Sequence, residues 1–224
     1  MQQLTLHLLA EQPATLDNFV VGTNVELGQW IASLKDYTHQ KRVQQHERAE
    51  HAWDRRACPI YLWGAAGSGK SHLAQAFEQA LGQPSFDDVQ ALETHGQDAL
   101  FAAINRARSE LVPLIATGNA PPRLLPLRSD VCSRLAWGLV LELKALNDQD
   151  KALALQRQAQ DRGWMFEAGV IDYILNHTER DMRALSALIR RLDTLSLSLH
   201  RRITVPLVRQ ALGLGGQHTA SPVE

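Results

Sequence analysis

The sequence predicts a parallel α/β domain followed by a small, all-helical one. Three observations carry that expectation. A phosphate-loop pattern, Gly64-Ala65-Ala66-Gly67-Ser68-Gly69-Lys70-Ser71, stands between an apolar run and an amphipathic stretch. Strand-like and helix-like segments alternate from residue 58 to residue 143. Beyond that the strand signals stop, and helix-like segments alone continue to residue 212.

The first element is QLTLHLL, in which Leu4, Leu6 and Leu8 alternate with Thr5 and His7 as in a half-buried strand. It reads as a strand of the protein's own sheet, a targeting signal, or a peptide offered to another protein. Residues 10–18 read as an extended linker. From Asn24 to about Trp53 the pattern is helical, with Leu27, Trp30, Ile31, Leu34 and Tyr37 on one stripe. Past Tyr37 the stripe dissolves into charges of both signs. CPIYLW (58–63) reads as a buried strand and HLAQAFEQAL (72–81) as a helix, with Gly82 suited to the left-handed position after it. A helix over 97–109, a strand over 111–119, an irregular or short-helical connection and a strand over 139–143 complete the first domain. Helices are expected over 148–162, 167–177, 181–199 and 206–212, and a disordered tail after that.

Composition narrows the functions available. The 224 residues suffice for one large domain or two modest ones, and 45% hydrophobic with 21% charged residues is ordinary for a globular protein. Lys and Arg number 23 against 24 Asp and Glu, so no global positive field recommends nucleic acid as a direct partner. Cys58 and Cys132 lack ligand spacing and read as buried thiols in a reducing compartment. No apolar run reaches the roughly 18–20 residues of a membrane span. QLTLHLL has no basic n-region and too short an apolar stretch for a signal peptide. A cytoplasmic protein without membrane partners is expected.

The phosphate loop carries the chemistry. Its glycines let backbone N–H groups wrap phosphates, and the following helix N-terminus adds partial positive charge. Lys70 is expected to reach the β- and γ-phosphates and Ser71 to bind Mg²⁺. The guanine-reading N-K-x-D pattern is missing, which favours an adenine nucleotide, ADP or ATP. A second metal-binding element should be an apolar strand ending in acid, and SFDDVQ offers Asp87 and Asp88. Only GQPS separates the preceding helix from Phe86, and a parallel crossover needs about a dozen residues counting its helix. That leaves no room for a further edge strand and helix. Asp87 is the expected metal ligand, with a surface turn as the plain alternative.

Several stretches together resemble the DnaA branch of AAA+ proteins. TLDNFVVGTNVEL is similar to the family's segment before the phosphate loop, whose backbone around Val20 and Val21 would frame adenine. LWGAAGSGKSHL resembles its Walker A and FDDVQ its Walker B. ATGNAPPRLL resembles its sensor 1, with Asn119 where the family usually carries Asp. SRLAWG resembles the arginine-finger box, making Arg134 the finger, and RDMRAL resembles sensor 2, making Arg183 a phosphate contact. The resemblance implies a nucleotide site of Val20, Val21, Gly64, Gly67, Ser68, Gly69, Lys70, Ser71, Asn119 and Arg183, with Mg²⁺ at Ser71 and Asp87. It implies an AAA+ P-loop parallel sheet, short by about 25 residues between Leu81 and Phe86, followed by a helical lid. The expected division is a peptide and linker at 1–18, the AAA+ domain at 19–146, the lid at 147–212 and a tail at 213–224.

The initiator branch continues into a helix-turn-helix domain, which residues 213–224 cannot supply. The chain therefore resembles the family's regulatory inactivators, the Hda type, which act ADP-bound on the DNA-loaded sliding clamp of the replicative polymerase. That resemblance implies a negative regulator of replication initiation with two partners, the DnaA initiator and the DNA polymerase III beta sliding clamp, DNA being reached only through the clamp. Gln3, Leu4, Leu6 and Leu8 resemble the clamp-binding peptide. Little ATPase activity of its own is expected. The rival readings are an autonomous AAA+ ATPase of the helicase-loader or transposition-helper type, and a nucleotide-free scaffold with a relic loop.

Overall fold

β1 (Ile60–Trp63) runs through the middle of the main sheet, and Ile60, Tyr61 and Leu62 are wholly buried. The computed structural model of the protein describes residues 13–43, 58–178, 182–196 and 202–214. β2 (Ile115–Gly118) and β3 (Leu139–Glu142) flank β1 in the order β2-β1-β3, both parallel to it. Parallel strands are covered on both faces, which is why IYLW and IATG carry no charge. Trp63 stands opposite Gly118 and Glu142, so the loops after all three strands leave from one edge.

Four helices share the core of this unit. α1 (Val25–Val43) contributes Leu27, Trp30, Ile31 and Leu34, the stripe predicted for it. α2 (Lys70–Leu81) contributes Leu73 and Phe77, α3 (Thr94–Glu110) Leu100 and Ile104, and α4 (Ser129–Leu135) Val131 and Leu135. α2 ends as expected at Gly82, with φ 64 and its N–H donating to the Glu78 carbonyl. The helix expected to reach Trp53 is described to Val43; residues 44–57 lie outside the described residues.

The short crossover after α2 folds back on its own helix. The Ser85 N–H and hydroxyl both donate to Glu78 Oε1, at 2.9 and 2.8 Å. Phe86 then makes a single parallel bridge to Ala116, its N–H donating to Ile115 and its carbonyl accepting from Thr117. Where a Walker B strand would extend the sheet, one residue pairs with the edge of β2.

Residues 13–18 correct the expectation of an extended linker. Thr15 Oγ1 accepts from the Asn18 N–H at 3.1 Å and Asn18 Oδ1 from the Thr15 N–H at 2.9 Å. This reciprocal turn buries Leu16, 7% exposed, in the core of the unit.

The chain divides into two units, the first holding Met1–Ala65 and Gly69–Lys144 and the second Ala66–Ser68 with Ala145–Glu224, and the second has a core of its own. α5 (Asp148–Asp161), α6 (Val170–His177), α7 (Met182–Ser196) and α8 (Val205–Ala211) pack Leu155, Ile174, Leu188, Leu192 and Val208 together. Asn147 caps α5 by accepting from the Asp150 N–H at 2.8 Å, and Thr204 caps α8. The sequence predicts a purely helical unit; the structure adds a short strand pair to its helices. β4 (Met165–Phe166) and β5 (Arg202–Ile203) pair in parallel. Two-residue strands are too short to leave an alternating pattern, so Arg202–Val205 read only as a separator.

Candidate functional site

The phosphate loop follows β1 directly and ends in α2, whose first residue is Lys70. Gly67 and Gly69 have φ of 74 and 102, a region that side-chain-bearing residues rarely adopt. Gly69 caps α2 without any side-chain hydrogen bond, leaving the first-turn N–H groups of the helix uncapped from that side. A Cβ on Gly69 would lie 3.0 Å from Phe19, so the ring of Phe19 closes against the loop. Lys70 is 6% exposed, and its Nζ donates to the carbonyls of Gly64 at 2.8 Å and Ala65 at 2.9 Å. Ser68 is buried, with no hydrogen-bond partner for its hydroxyl among the described residues. An acceptor-rich phosphate fits this set of donors: an ammonium, a hydroxyl and a helix N-terminus.

The segment around Val20 and Val21 is held by a residue that sequence reasoning did not single out. Asn24, 7% exposed, donates Nδ2 to the carbonyls of Val21 at 2.9 Å and Lys144 at 3.1 Å. Its Oδ1 accepts from the Lys144 N–H at 2.9 Å. Val20 and Val21 are half-buried, and Gly28 leaves room for Val21, whose Cγ1 would lie 3.0 Å from a Cβ there. A lone Asn before a helix reads as a cap, and its second contact 120 positions away leaves no local signal.

The acids gather at the end of β2. The Thr117 hydroxyl donates to Asp87 Oδ1 and accepts from the Asp88 N–H at 3.1 Å. Thr117 is wholly buried, whereas Asp87 is exposed. Gln90 joins the acids to the expected sensor residue: its Nε2 donates to Asp88 at 3.1 Å, and its Oε1 accepts from the Asn119 N–H at 3.2 Å. Asn119 itself is exposed. The Gly64 N–H donates to Gly118 at 3.3 Å, so the phosphate loop and Asn119 leave the sheet side by side. This is the carboxyl edge of a parallel sheet, where such folds bind ligands. Among the described residues no group of three or more His, Cys, Asp and Glu could hold a metal. Mg²⁺ in phosphate-loop sites takes one or two protein ligands and completes its shell with phosphates and water, a demand that Ser71 and Asp87 fit in chemical type.

Arg134, near the end of α4, lies away from any carboxylate partner among the described residues. Its Nε donates to Asn105 Oδ1 at 3.1 Å and its Nη1 to the Asp130 carbonyl at 3.3 Å. The guanidinium carbon stands 3.6 Å from the Phe101 ring centroid and 4.8 Å from that of Trp137. An ordinary surface ion pair is therefore not what holds this side chain.

Arg183 falls in the first turn of α7, but its side chain lies outside the described residues, as do Gln3, Leu4, Leu6 and Leu8. Cys58 is buried as expected, and burial pushes its thiol up to about 11. Cys132 is half-buried. No helix among the described residues is long and apolar enough to cross a membrane.

The family described as the lid domain of Hda matches residues 148–212. Domain III of the Thermotoga maritima replication initiation protein DnaA is similar at TM-score 0.67 and 17% identity, over 92% of this chain and 98% of that one. AMPPCP-bound DnaA from Aquifex aeolicus is similar at TM-score 0.61 and 21% identity, over 83% of this chain and 66% of that one. The Thermotoga maritima RuvB Holliday junction branch migration motor matches 91% of this chain and 72% of its own, at TM-score 0.61 and 17% identity. At such identities the structural likeness speaks for the fold alone.

Proposed function

We propose that the chain is an AAA+ protein of the DnaA type, shortened in its sheet and carrying a lid like that of the Hda family, whose model matches residues 148–212, and that it is a negative regulator of replication initiation. In this reading it binds an adenine nucleotide in its own phosphate loop and docks on the DNA-loaded sliding clamp. There it promotes hydrolysis of the ATP held by DnaA. DnaA structures similar to this chain are described as bound to AMPPCP, which supports the choice of adenine. Lys70, Ser68 and the α2 N-terminus hold the phosphates, while Val20, Val21 and Asn119 complete the site. Mg²⁺ held by Ser71 and Asp87 would neutralise charge between phosphate oxygens. Action on chromosome-bound partners places the protein in the cytoplasm.

The observation that carries this reading is the setting of Arg134. Every partner of its guanidinium among the described residues is neutral: an amide, a carbonyl and two aromatic rings. Its positive charge is thus restrained but not cancelled. A guanidinium kept in that state suits the γ-phosphate of a neighbouring subunit, a role worth about 10³–10⁵ in rate in other NTPases. Asp87 is exposed and follows the single-residue bridge at Phe86 in place of a full strand, with Thr117 donating to its carboxylate, and so offers a weaker platform for hydrolysis in this chain itself.

The test is Arg134→Ala assayed on ATP-bound DnaA with clamp and DNA present. Stimulation of DnaA hydrolysis should vanish while ADP affinity of the variant stays at the unmodified level. Equal loss of this chain's own nucleotide affinity would make Arg134 a local ligand. Robust steady-state turnover by the isolated protein would instead favour an autonomous ATPase.

A further inference from the structure

Trp137 stands in the turn after α4 and keeps 46% of its surface exposed, outside the hydrophobic core. The turn that carries it is fixed at both ends. The Trp137 N–H donates to the carbonyl of Arg134 at 3.1 Å. The next residue, Gly138, lies so close to Pro59 that a Cβ there would meet its carbonyl oxygen at 2.0 Å. The indole itself has two cationic neighbours. The guanidinium carbons of Arg134 and Arg108 each lie 4.8 Å from its ring centroid. Arg108 is anchored in turn, donating Nη1 to the Cys58 carbonyl at 3.1 Å.

Resting on the reading of Arg134 as a finger, we propose that Trp137 is the positioning residue that holds the Arg134 guanidinium in one orientation for the phosphates of DnaA-bound ATP. Arginine is a planar fork of N–H donors, and its use on a phosphate depends on the direction of that plane. Nε and Nη1 of Arg134 are engaged with Asn105 Oδ1 and the Asp130 carbonyl, and its remaining N–H groups have no further hydrogen-bond acceptor among the described residues. Two aromatic faces then restrict rotation of the head group, Phe101 and Trp137. An aromatic ring attracts the cation through its quadrupole without neutralising it, as a carboxylate would. Trp137 therefore orients the charge and leaves it available to a partner. Arg108 holds the indole against Arg134 from a fixed backbone anchor.

The test compares Trp137→Ala, Trp137→Phe and Arg134→Ala in the full chain, measuring phosphate release from ATP-bound DnaA on DNA-loaded clamp across a concentration series. Trp137→Ala should lower the maximal rate about tenfold or more while the half-saturating concentration stays within about twofold. Trp137→Phe, which keeps an aromatic face, should recover most of the rate. ADP affinity and melting temperature should match the unmodified protein for both Trp137 variants. An unchanged maximal rate in Trp137→Ala, with Arg134→Ala inactive, overturns the positioning role and leaves the finger standing. A rise in the half-saturating concentration alone makes Trp137 a docking contact and overturns the proposal. A Phe variant as slow as the Ala variant, or an earlier melt in Trp137→Ala, overturns it as well. Full stimulation by Arg134→Ala removes the finger reading and Trp137's role with it.

Discussion

Lys70 Nζ and the carbonyl oxygen of Gly64 lie 2.8 Å apart, so the lysine of the phosphate loop is bonded to the loop's own first residue. With the Ala65 carbonyl at 2.9 Å, the same ammonium ties the two ends of the loop together. A buried ammonium has already lost most of its hydration, which makes it a strong partner for an incoming phosphate.

Replacing Lys70 by Ala should therefore weaken ADP and ATP at least tenfold, about 1.4 kcal/mol. Titration calorimetry checks this, and unchanged affinity would remove the phosphate-loop assignment.

Gly138 should tolerate no side chain. A Cβ there would meet Pro59 O at 2.0 Å and the carbonyl carbon of Cys58 at 2.5 Å, and both are backbone atoms that cannot swing aside. Gly138→Ala should cost more than the roughly 1–3 kcal/mol of ordinary overpacking. Gly82→Ala is the comparison, since nothing lies within 4 Å of its Cβ and only its φ of +64 opposes the change. That variant should lose about 1–2 kcal/mol. Thermal unfolding that ranks the two the other way would contradict the close approach of this turn to β1.

His72 should make stability fall in mild acid. Its Nε2 donates to Asn18 Oδ1 at 2.9 Å, with the Thr15 carbonyl at 3.3 Å and the Phe19 ring alongside. Burial lowers its pKa, and the Thr15 carbonyl only partly opposes that shift. The unfolded chain, with an ordinary histidine near about 6.5, then takes up its proton before the folded one does. The contribution is whole above the unfolded value and declines as pH falls below it towards the folded value. Denaturant titrations between pH 7.5 and 5 should give a shallower loss for His72→Gln, and equal slopes would refute the assignment.

The amino-terminal peptide should be separable from the fold. Extended peptides bind by seating alternate side chains in pockets, and Leu4, Leu6 and Leu8 have that spacing, with Gln3 or the backbone left for polar contacts. Each fully buried leucine contributes about 1.5–3 kcal/mol before ordering costs, enough for micromolar binding near about −8 kcal/mol. Joint replacement of Gln3 and Leu4 by Ala should abolish clamp binding in surface plasmon resonance and leave the melting temperature unchanged. Retained binding, or an earlier melt, would assign the peptide to the protein's own sheet.

The sequence by itself determined the parallel sheet, its phosphate loop and the change to helices after Leu143. These are recorded in short-range patterns: an apolar run, a glycine spacing, a three-to-four stripe such as Leu27, Trp30, Ile31 and Leu34. It also placed the left-handed Gly82, because only the end of a helix demands that conformation there. The tertiary structure alone decided who meets whom. Asn105 reaches Arg134 across 29 positions, Thr117 reaches Asp87 across 30, and Asn24 reaches Lys144 across 120. It turned residues 13–18 into a packed corner and paired Met165–Phe166 with Arg202–Ile203. Such contacts bring together residues whose local sequence is indifferent to the meeting. A side chain's partners are set by chain crossings, and those exist only once the sheet and its helices have closed.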